Sequence, residues 1–190
     1  MTKLKNDGSV SYSIVIPVFQ NEGSINDVFY KIKENVIDQN HNYSCEIIFV
    51  DDGSTDKSFE LLNALHNKYP ELIVIVKLTR NFGTYPAIIA GYEKARGNCI
   101  INISADLQDP PELINQKLSS YFDESFNIVI CHRNSRDESA YRSITSKIFY
   151  GTIRKYCFPE MPKGGFDFIL ISQKVKNEIL LDLEADFFLQ

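Results

Sequence analysis

The feature that most restricts the fold of this chain is an alternation. Short apolar runs rich in Ile and Val recur at 14–18, 46–50, 72–78, 100–103 and 128–131, and segments with helical apolar spacing lie between them. Runs of this length read as buried strands, and the connections are too long for hairpins. The helical segments are marked by Ile25, Val28, Phe29, Ile32 and Val36, by Phe59, Leu62 and Leu65, by Ile88, Ile89, Tyr92 and Ala95 with Gly97 closing the helix, and by Leu113, Ile114, Leu118 and Phe122 after Pro111. Four alternations of strand and helix predict an α/β fold with a mostly parallel sheet covered on both faces. One more strand at 166–171 and a helix at 173–183 follow a segment, 132–165, of different character.

A chain of 190 residues fits one domain with a sizeable core. Its net charge of -5 excludes a general polyanion binder, and no basic, aromatic-laced sheet points to nucleic acid. Cys45, Cys99, Cys131 and Cys157 are far apart and form no Cys-x-x-Cys pair, which predicts reduced thiols in a cytoplasmic setting. The polar N-terminus lacks the apolar core of a signal peptide, and no run of eighteen apolar residues occurs. The chain stops on Phe187, Phe188 and Leu189 without a terminating signal, so the expectation is a catalytic domain, 1–190, cut from a longer protein with C-terminal membrane-associated segments.

Three of the strands run into polar clusters: Pro17 to Glu22, Asp51 to Asp56, and Asp106 to Asp109. Local structure accounts for part of each. Asn21 and Gly23 suit a turn, Ser24 with Asp27 and Ser54 suit helix caps, and Asp109 to Glu112 reads as a capping box with proline just inside the helix. Asp51, Asp106 and Gln108 precede the caps and are left over, as unpaired polar groups at strand ends. Strand carboxyl ends are where open α/β sheets bind ligands. A divalent cation with a nucleotide fits such residues, because hard cations take oxygen ligands and Mg2+ combines one or two carboxylates with substrate phosphates. No Gly-x-Gly-x-x-Gly follows the first strand and no P-loop motif occurs, so a dehydrogenase or P-loop enzyme is excluded.

The runs Ile14-Val-Ile-Pro-Val-Phe-Gln-Asn-Glu22, Val50-Asp-Asp-Gly-Ser-Thr-Asp56, Leu78-Thr-Arg-Asn-Phe-Gly83 and Ala105-Asp-Leu-Gln-Asp-Pro-Pro-Glu112, with Ala90-Gly91 and Ala95-Arg-Gly97, together resemble family 2 glycosyltransferases of the GT-A fold. Within that family the resemblance is to the dolichyl-phosphate mannose synthase and bactoprenol glucosyltransferase group. It covers most of 14–132 and continues less tightly through Arg133, Arg136 and Gly165 to Ser172. The resemblance implies a Rossmann-like sheet and a nucleotide-sugar donor carrying UDP or GDP. It implies that Pro17, Val18, Glu22, Asp51, Asp52, Ala105 and Asp106 line the nucleotide site, and that Asp106 and Gln108 hold Mg2+ or Mn2+. One departure stands out. Where the family has Asp-x-Asp-x-Gln, this chain has Ser104-Ala105-Asp106-Leu107-Gln108, with a neutral hydroxyl in place of the first acid.

The expected reaction is an inverting displacement in which a nucleoside diphosphate leaves, and cationic groups stabilise the developing charge. Residues 132–165 hold seven Lys or Arg against three acids. Lys147, Arg154 and Lys155 read as a solvated helix face, whereas Arg133 and Arg136, just past a strand end, are assigned to phosphate and, with Asp106, to catalysis. A polyprenyl phosphate acceptor is largely dianionic at neutral pH, its second ionisation lying near ~6, and needs no strong base. A saccharide hydroxyl would need one, from Asp109, Glu184 or Asp186. The basic segment also suits an anionic bilayer, which places the protein at the inner face of the cell membrane. A nucleotide-sugar-binding module with little catalysis is the alternative that Ser104 keeps open, and self-association is likewise open.

Overall fold

The computed structural model describes residues 10–130 and 168–188. Six strands, β1 (Tyr12–Val18), β2 (Cys45–Asp51), β3 (Ile73–Lys77), β4 (Cys99–Asn102), β5 (Ile128–Ile130) and β6 (Ile169–Ser172), form one sheet in the order β3-β2-β1-β4-β6-β5. Among the described residues the helices are α1 (Ile25–Ile32), which runs on into a π-helical turn (Lys33–Ile37), α2 (Ser58–Lys68), α3 (Thr84–Lys94), α4 (Leu113–Glu124) and α5 (Gln173–Phe188).

Side-chain alternation along the central strand divides the core into two layers. Ile14 and Ile16 face a layer that includes Phe29 of α1, Leu62 of α2, and Ile114 and Leu118 of α4. Val15 faces the other, with Ala87 and Tyr92 of α3, Ile171 of β6 and Ile179 of α5. β1, β2, β3 and β4 are parallel, as expected for strands joined by helical crossovers. β6 inserts between β4 and β5 and runs antiparallel to both. The alternation in sequence order gave no sign of that reversal, because strand order is a matter of non-local pairing.

Gly97 has another role than the expected helix closure. α3 ends at Lys94 with Ala95 extended behind it. A Cβ on Gly97 would lie 2.5 Å from the Ser13 nitrogen and 2.6 Å from the Tyr12 carbonyl carbon, so only glycine lets this turn pass so close to β1. Cys99 is buried, which pushes its thiol up to about 12, and burial likewise raises the Cys45 thiol well above its ordinary value; both are free and unreactive. Cys131, Cys157 and the whole basic segment 132–165, with the helix face expected at Lys147, Arg154 and Lys155, lie outside the described residues, as does the start of the strand expected at 166–171.

At the amino edge of the sheet a buried polar cluster ties the strands to α3 and α5. Glu46, 1% exposed, accepts from Ser13 Oγ (2.7 Å) and the Arg96 backbone N–H (2.7 Å), and pairs with the Arg96 guanidinium through Nε (2.9 Å) and Nη2 (2.8 Å). Ser13 Oγ in turn accepts from the Gly97 N–H (2.9 Å). Lys176, also buried, donates to the Ala95 carbonyl (3.2 Å) and to Gln173 Oε1 (3.0 Å), the Gln173 amide being oriented so that its nitrogen donates to the Gly97 carbonyl (2.8 Å). Burial pushes the Lys176 ammonium below its ordinary range, and Glu46 offsets part of that shift. Sequence reasoning passed over Glu46 and Lys176, since each is a lone charge in an apolar or amphipathic run.

Candidate active site

The chain leaves β1 to one side to build β2 and β3, then crosses to the other side for β4. The carboxyl ends of β1 and β4 therefore flank a topological switch point, the crevice where such sheets bind ligands. Here the structure has a cleft of about 640 Å³, lined by the ends of β1 and β4, by one side of α3, and by Ile169, Ile171 and Ile179.

The loop after β1 is held by donors and acceptors that belong mainly to the loop after β2. Phe19 N–H donates to Asn21 Oδ1 (2.9 Å), Gln20 N–H to Ser54 Oγ (3.0 Å) and Asn21 N–H to Ser58 Oγ (2.9 Å). Glu22 and Asp56 make a reciprocal pair at the start of α2: Glu22 N–H donates to Asp56 Oδ2 (3.2 Å), and Lys57 N–H donates to Glu22 Oε2 (2.9 Å). Desolvation opposes ionisation of Asp56, but hydrogen bonds from Ser58 and Glu22 outweigh it and hold the carboxyl below its usual range.

The paired aspartates after β2 diverge because neighbouring side chains on an extended backbone point oppositely. Asp52 turns to the loop before α3 and accepts from Phe82 N–H (2.8 Å) and Gly83 N–H (2.9 Å). Asp51 is fully buried; its Oδ1 accepts from Ser54 N–H (3.1 Å), and its Oδ2 has no hydrogen-bond partner among the described residues. Gly53, at φ +72°, makes the turn that follows them, where a Cβ would sit 2.6 Å from the Arg80 carbonyl carbon.

After β4, Ser104 Oγ donates to Asp106 Oδ1 (2.5 Å), which also accepts from Gln108 N–H (3.1 Å). Leu107 takes a left-handed conformation, φ +60°, to make this turn. Ser24 supplies an anchor from across the crevice: its hydroxyl donates to the Ala105 carbonyl at 2.6 Å. Ser24 does precede α1, yet its side chain makes no cap hydrogen bond, so the capping role expected for it is taken up by this long-range contact. Ser54 likewise caps no helix, its hydroxyl being engaged by Gln20. Between Asp109 and α4 the chain makes a tight turn in which Leu113 N–H bonds Pro110 O (3.1 Å) and Ile114 N–H bonds Pro111 O (2.9 Å). Glu112 immediately precedes α4, without a side-chain cap bond, and Asp109 is buried against the cleft.

Of the residues singled out from sequence, the cleft brings together Pro17, Val18, Asp52, Ala105, Asp106, Gln108 and Asp109, and exposed Tyr85 joins them. Asp51 lies buried on β2 beside Val18, with which it is in register. Glu22 is exposed and turned to α2 rather than into the cleft. Arg133 and Arg136 lie outside the described residues, as do the side chains of Glu184 and Asp186. The cleft also holds a buried pair that sequence reasoning missed, Asn102 and Tyr92, whose only signal was an asparagine closing an otherwise isoleucine-rich strand. Among the described residues no three His, Cys, Asp or Glu side chains cluster to form a metal site, and no helix is long and apolar enough to cross a membrane.

A mostly parallel sheet with carboxylates and an amide lining a cleft at its switch point defines an α/β protein with a ligand-binding crevice. The model for "Glycosyl transferase family 2" matches residues 13–180, and the chain belongs to that family. It is 35% identical over 179 residues to the "Prophage bactoprenol glucosyl transferase homolog" of Escherichia coli, covering 94% of this chain and 57% of that one. It is 38% identical over 136 residues to the undecaprenyl-phosphate 4-deoxy-4-formamido-L-arabinose transferase of Pseudomonas fluorescens, covering 72% and 39%. Among solved structures, a mannosyltransferase from Pyrobaculum calidifontis in complex with GDP-Man and Mn2+ superimposes with a TM-score of 0.63 at 16% identity, covering 88% of this chain and 46% of that one; this likeness establishes the GT-A fold alone. The chain spans about half the length of the curated relatives it matches.

Proposed function

We propose that residues 1–190 form the catalytic domain of an inverting glycosyltransferase that moves a sugar from a UDP- or GDP-sugar to a polyprenyl phosphate. The observation that carries the reading is the buried Asp51 carboxylate at the carboxyl end of β2, in register with Val18 of the cleft wall; its Oδ2 lacks a partner among the described residues. A buried anion with an unused acceptor calls for a donor, and the N–H of a nucleobase supplies one. Pro17, Val18 and Asp52 line the cleft next to Asp51, and Ala105 with Asp106 borders the diphosphate. Glu22 serves the site from outside, by fixing the β1–α1 loop to α2.

Asp106 and Gln108 fit a divalent cation, Mg2+ or Mn2+, in chemistry: an exposed carboxylate and an amide side chain suit an ion that completes its shell with phosphate oxygens and water. When bound, the cation supplies counter-charge to the diphosphate. Ser104 holds Asp106 Oδ1 in place and adds no charge of its own, so this chain binds the cation more weakly than a two-carboxylate site. Arg133 and Arg136 are proposed to hold phosphate as the nucleoside diphosphate departs. The lipid acceptor draws support from the names of the bactoprenol and undecaprenyl-phosphate relatives. Its phosphate brings its own nucleophilic charge, so no carboxylate is required as base. A membrane lipid as acceptor places the domain at the inner face of the cell membrane, with membrane-associated segments elsewhere in the full-length protein.

The test is a transfer assay on the full-length protein with undecaprenyl phosphate and an oligosaccharide side by side. Glycosylation of the lipid phosphate alone is expected. Glycosylation of the oligosaccharide instead overturns the acceptor, and donor binding without transfer to either favours a binding module.

A further inference from the structure

Asn102 ends β4 and is 6% exposed, and its amide nitrogen donates to the Tyr92 hydroxyl at 2.7 Å. Its Oδ1 has no hydrogen-bond partner among the described residues, although the side chain lines the cleft. An amide oxygen shielded from water and left unpaired costs the full desolvation of that group unless a bound molecule pairs it. The surroundings define that molecule. Ile88, Ile89, Ile171 and Ile179 line the cleft with this pair, so an ionic group would be desolvated there without compensation. What fits is a neutral ligand with an apolar face and a hydrogen-bond donor. Asn102 is also only four residues before Asp106, on the same wall.

We infer that Asn102, oriented by Tyr92, reads one hydroxyl of the sugar carried by the donor and so sets sugar specificity. This assignment rests on the nucleotide-sugar reading of the cleft. A pyranose combines an apolar ring face with hydroxyl donors and is joined directly to the diphosphate beside Asp106. Tyr92 is 5% exposed, and burial raises its phenol above the ordinary value, so it remains a neutral partner that fixes the amide across the working pH range.

The experiment is calorimetric titration of the full chain with UDP and GDP, with UDP-glucose and GDP-mannose, and with analogues of the preferred sugar lacking one hydroxyl at a time. On the wild-type chain one deoxy analogue is expected to bind about tenfold more weakly than its parent. Asn102→Leu is expected to lose about tenfold for the parent sugar, to treat that analogue and its parent alike, and to keep its affinity for the nucleoside diphosphate within about twofold. Tyr92→Phe, which keeps the ring, is expected to lose part of the same discrimination and carries the test if Asn102→Leu does not fold. Unchanged discrimination in both folded variants overturns the assignment. So does a parallel loss of diphosphate and sugar binding, which is what a merely structural pair would give. If neither UDP nor GDP binds the wild-type chain, the donor reading fails first and this assignment falls with it.

Discussion

Glu46 and Asp51 stand five residues apart on the same strand, both buried, and their surroundings are opposites. Glu46, at the amino edge of the sheet, is surrounded by donors: a serine hydroxyl, a backbone N–H and a guanidinium. Asp51, at the carboxyl edge, receives one backbone N–H on Oδ1 and has nothing from the described residues on Oδ2. Burial is the same at both, so burial does not tell a structural acid from one that awaits a ligand. The balance of donors does. The amino edge is closed, holding strands, α3 and α5 together, whereas the carboxyl edge, where open α/β sheets bind ligands, leaves acceptor capacity on Asp51 and Asn102.

The largest expected effect falls at the closed edge. Glu46→Ala strips the acceptor from Ser13 and from the Arg96 N–H and guanidinium, the last largely exposed, and the nearby anion from Lys176, and it loses several hydrogen bonds to a buried carboxylate, each worth about 1.5–3 kcal/mol. Urea unfolding measures this, and nucleotide affinity of the folded fraction should be unchanged. A loss below about 1 kcal/mol would remove the distinction between the edges. At the open edge the order reverses. Asp51→Asn keeps the acceptor for Ser54 and removes a buried charge, so stability should hold within about 0.5 kcal/mol. Titration with UDP or GDP should weaken by about tenfold to a hundredfold, as expected for a hydrogen bond to a charged group worth ~1.5–3 kcal/mol.

Smaller effects sharpen the picture within the open edge. Ser104→Asp restores a second carboxylate beside Asp106 and should tighten Mn2+ binding by about tenfold, measured by titration in the presence of the nucleotide. Transfer by the unaltered protein should fall in excess EDTA, and full activity there would contradict the role given to Asp106 and Gln108. The smallest effect concerns pH. The Asp56 carboxyl lies below its usual range in the folded chain, so its contribution to stability is complete above the unfolded value and disappears as the pH falls through the folded one. Asp56→Asn should flatten the acid limb of the stability curve by lowering the neutral plateau, leaving stability at acid pH unchanged.

The parts of this molecule that local chemistry governs were legible in its sequence. β-branched runs such as Ile14 to Val18 and Ile100 to Ile103 form or border strands because burial on both faces demands them, and the helices between them follow their apolar spacing. Non-local choices were not legible. Nothing in 169–172 announces that β6 reverses direction between β4 and β5, and nothing around Ser24 reveals that its acceptor lies at Ala105, 81 positions away. The adjacent aspartates 51 and 52 read alike in sequence. On the folded strand one turns to a loop and is fully engaged, and the other turns inward with an oxygen unpaired.

The central claim is that the unfilled acceptors at the carboxyl edge exist for a nucleotide-sugar. Its most direct test is the thermal unfolding of this chain with a panel of UDP- and GDP-sugars, with and without Mn2+. A ligand at a hundred times its Kd stabilises by about 2.7 kcal/mol, which for a chain of this size raises Tm by roughly 5 °C or more. The account predicts such a rise with at least one donor, larger with Mn2+ and strongly reduced in Asp51→Asn. No rise with any donor would contradict it.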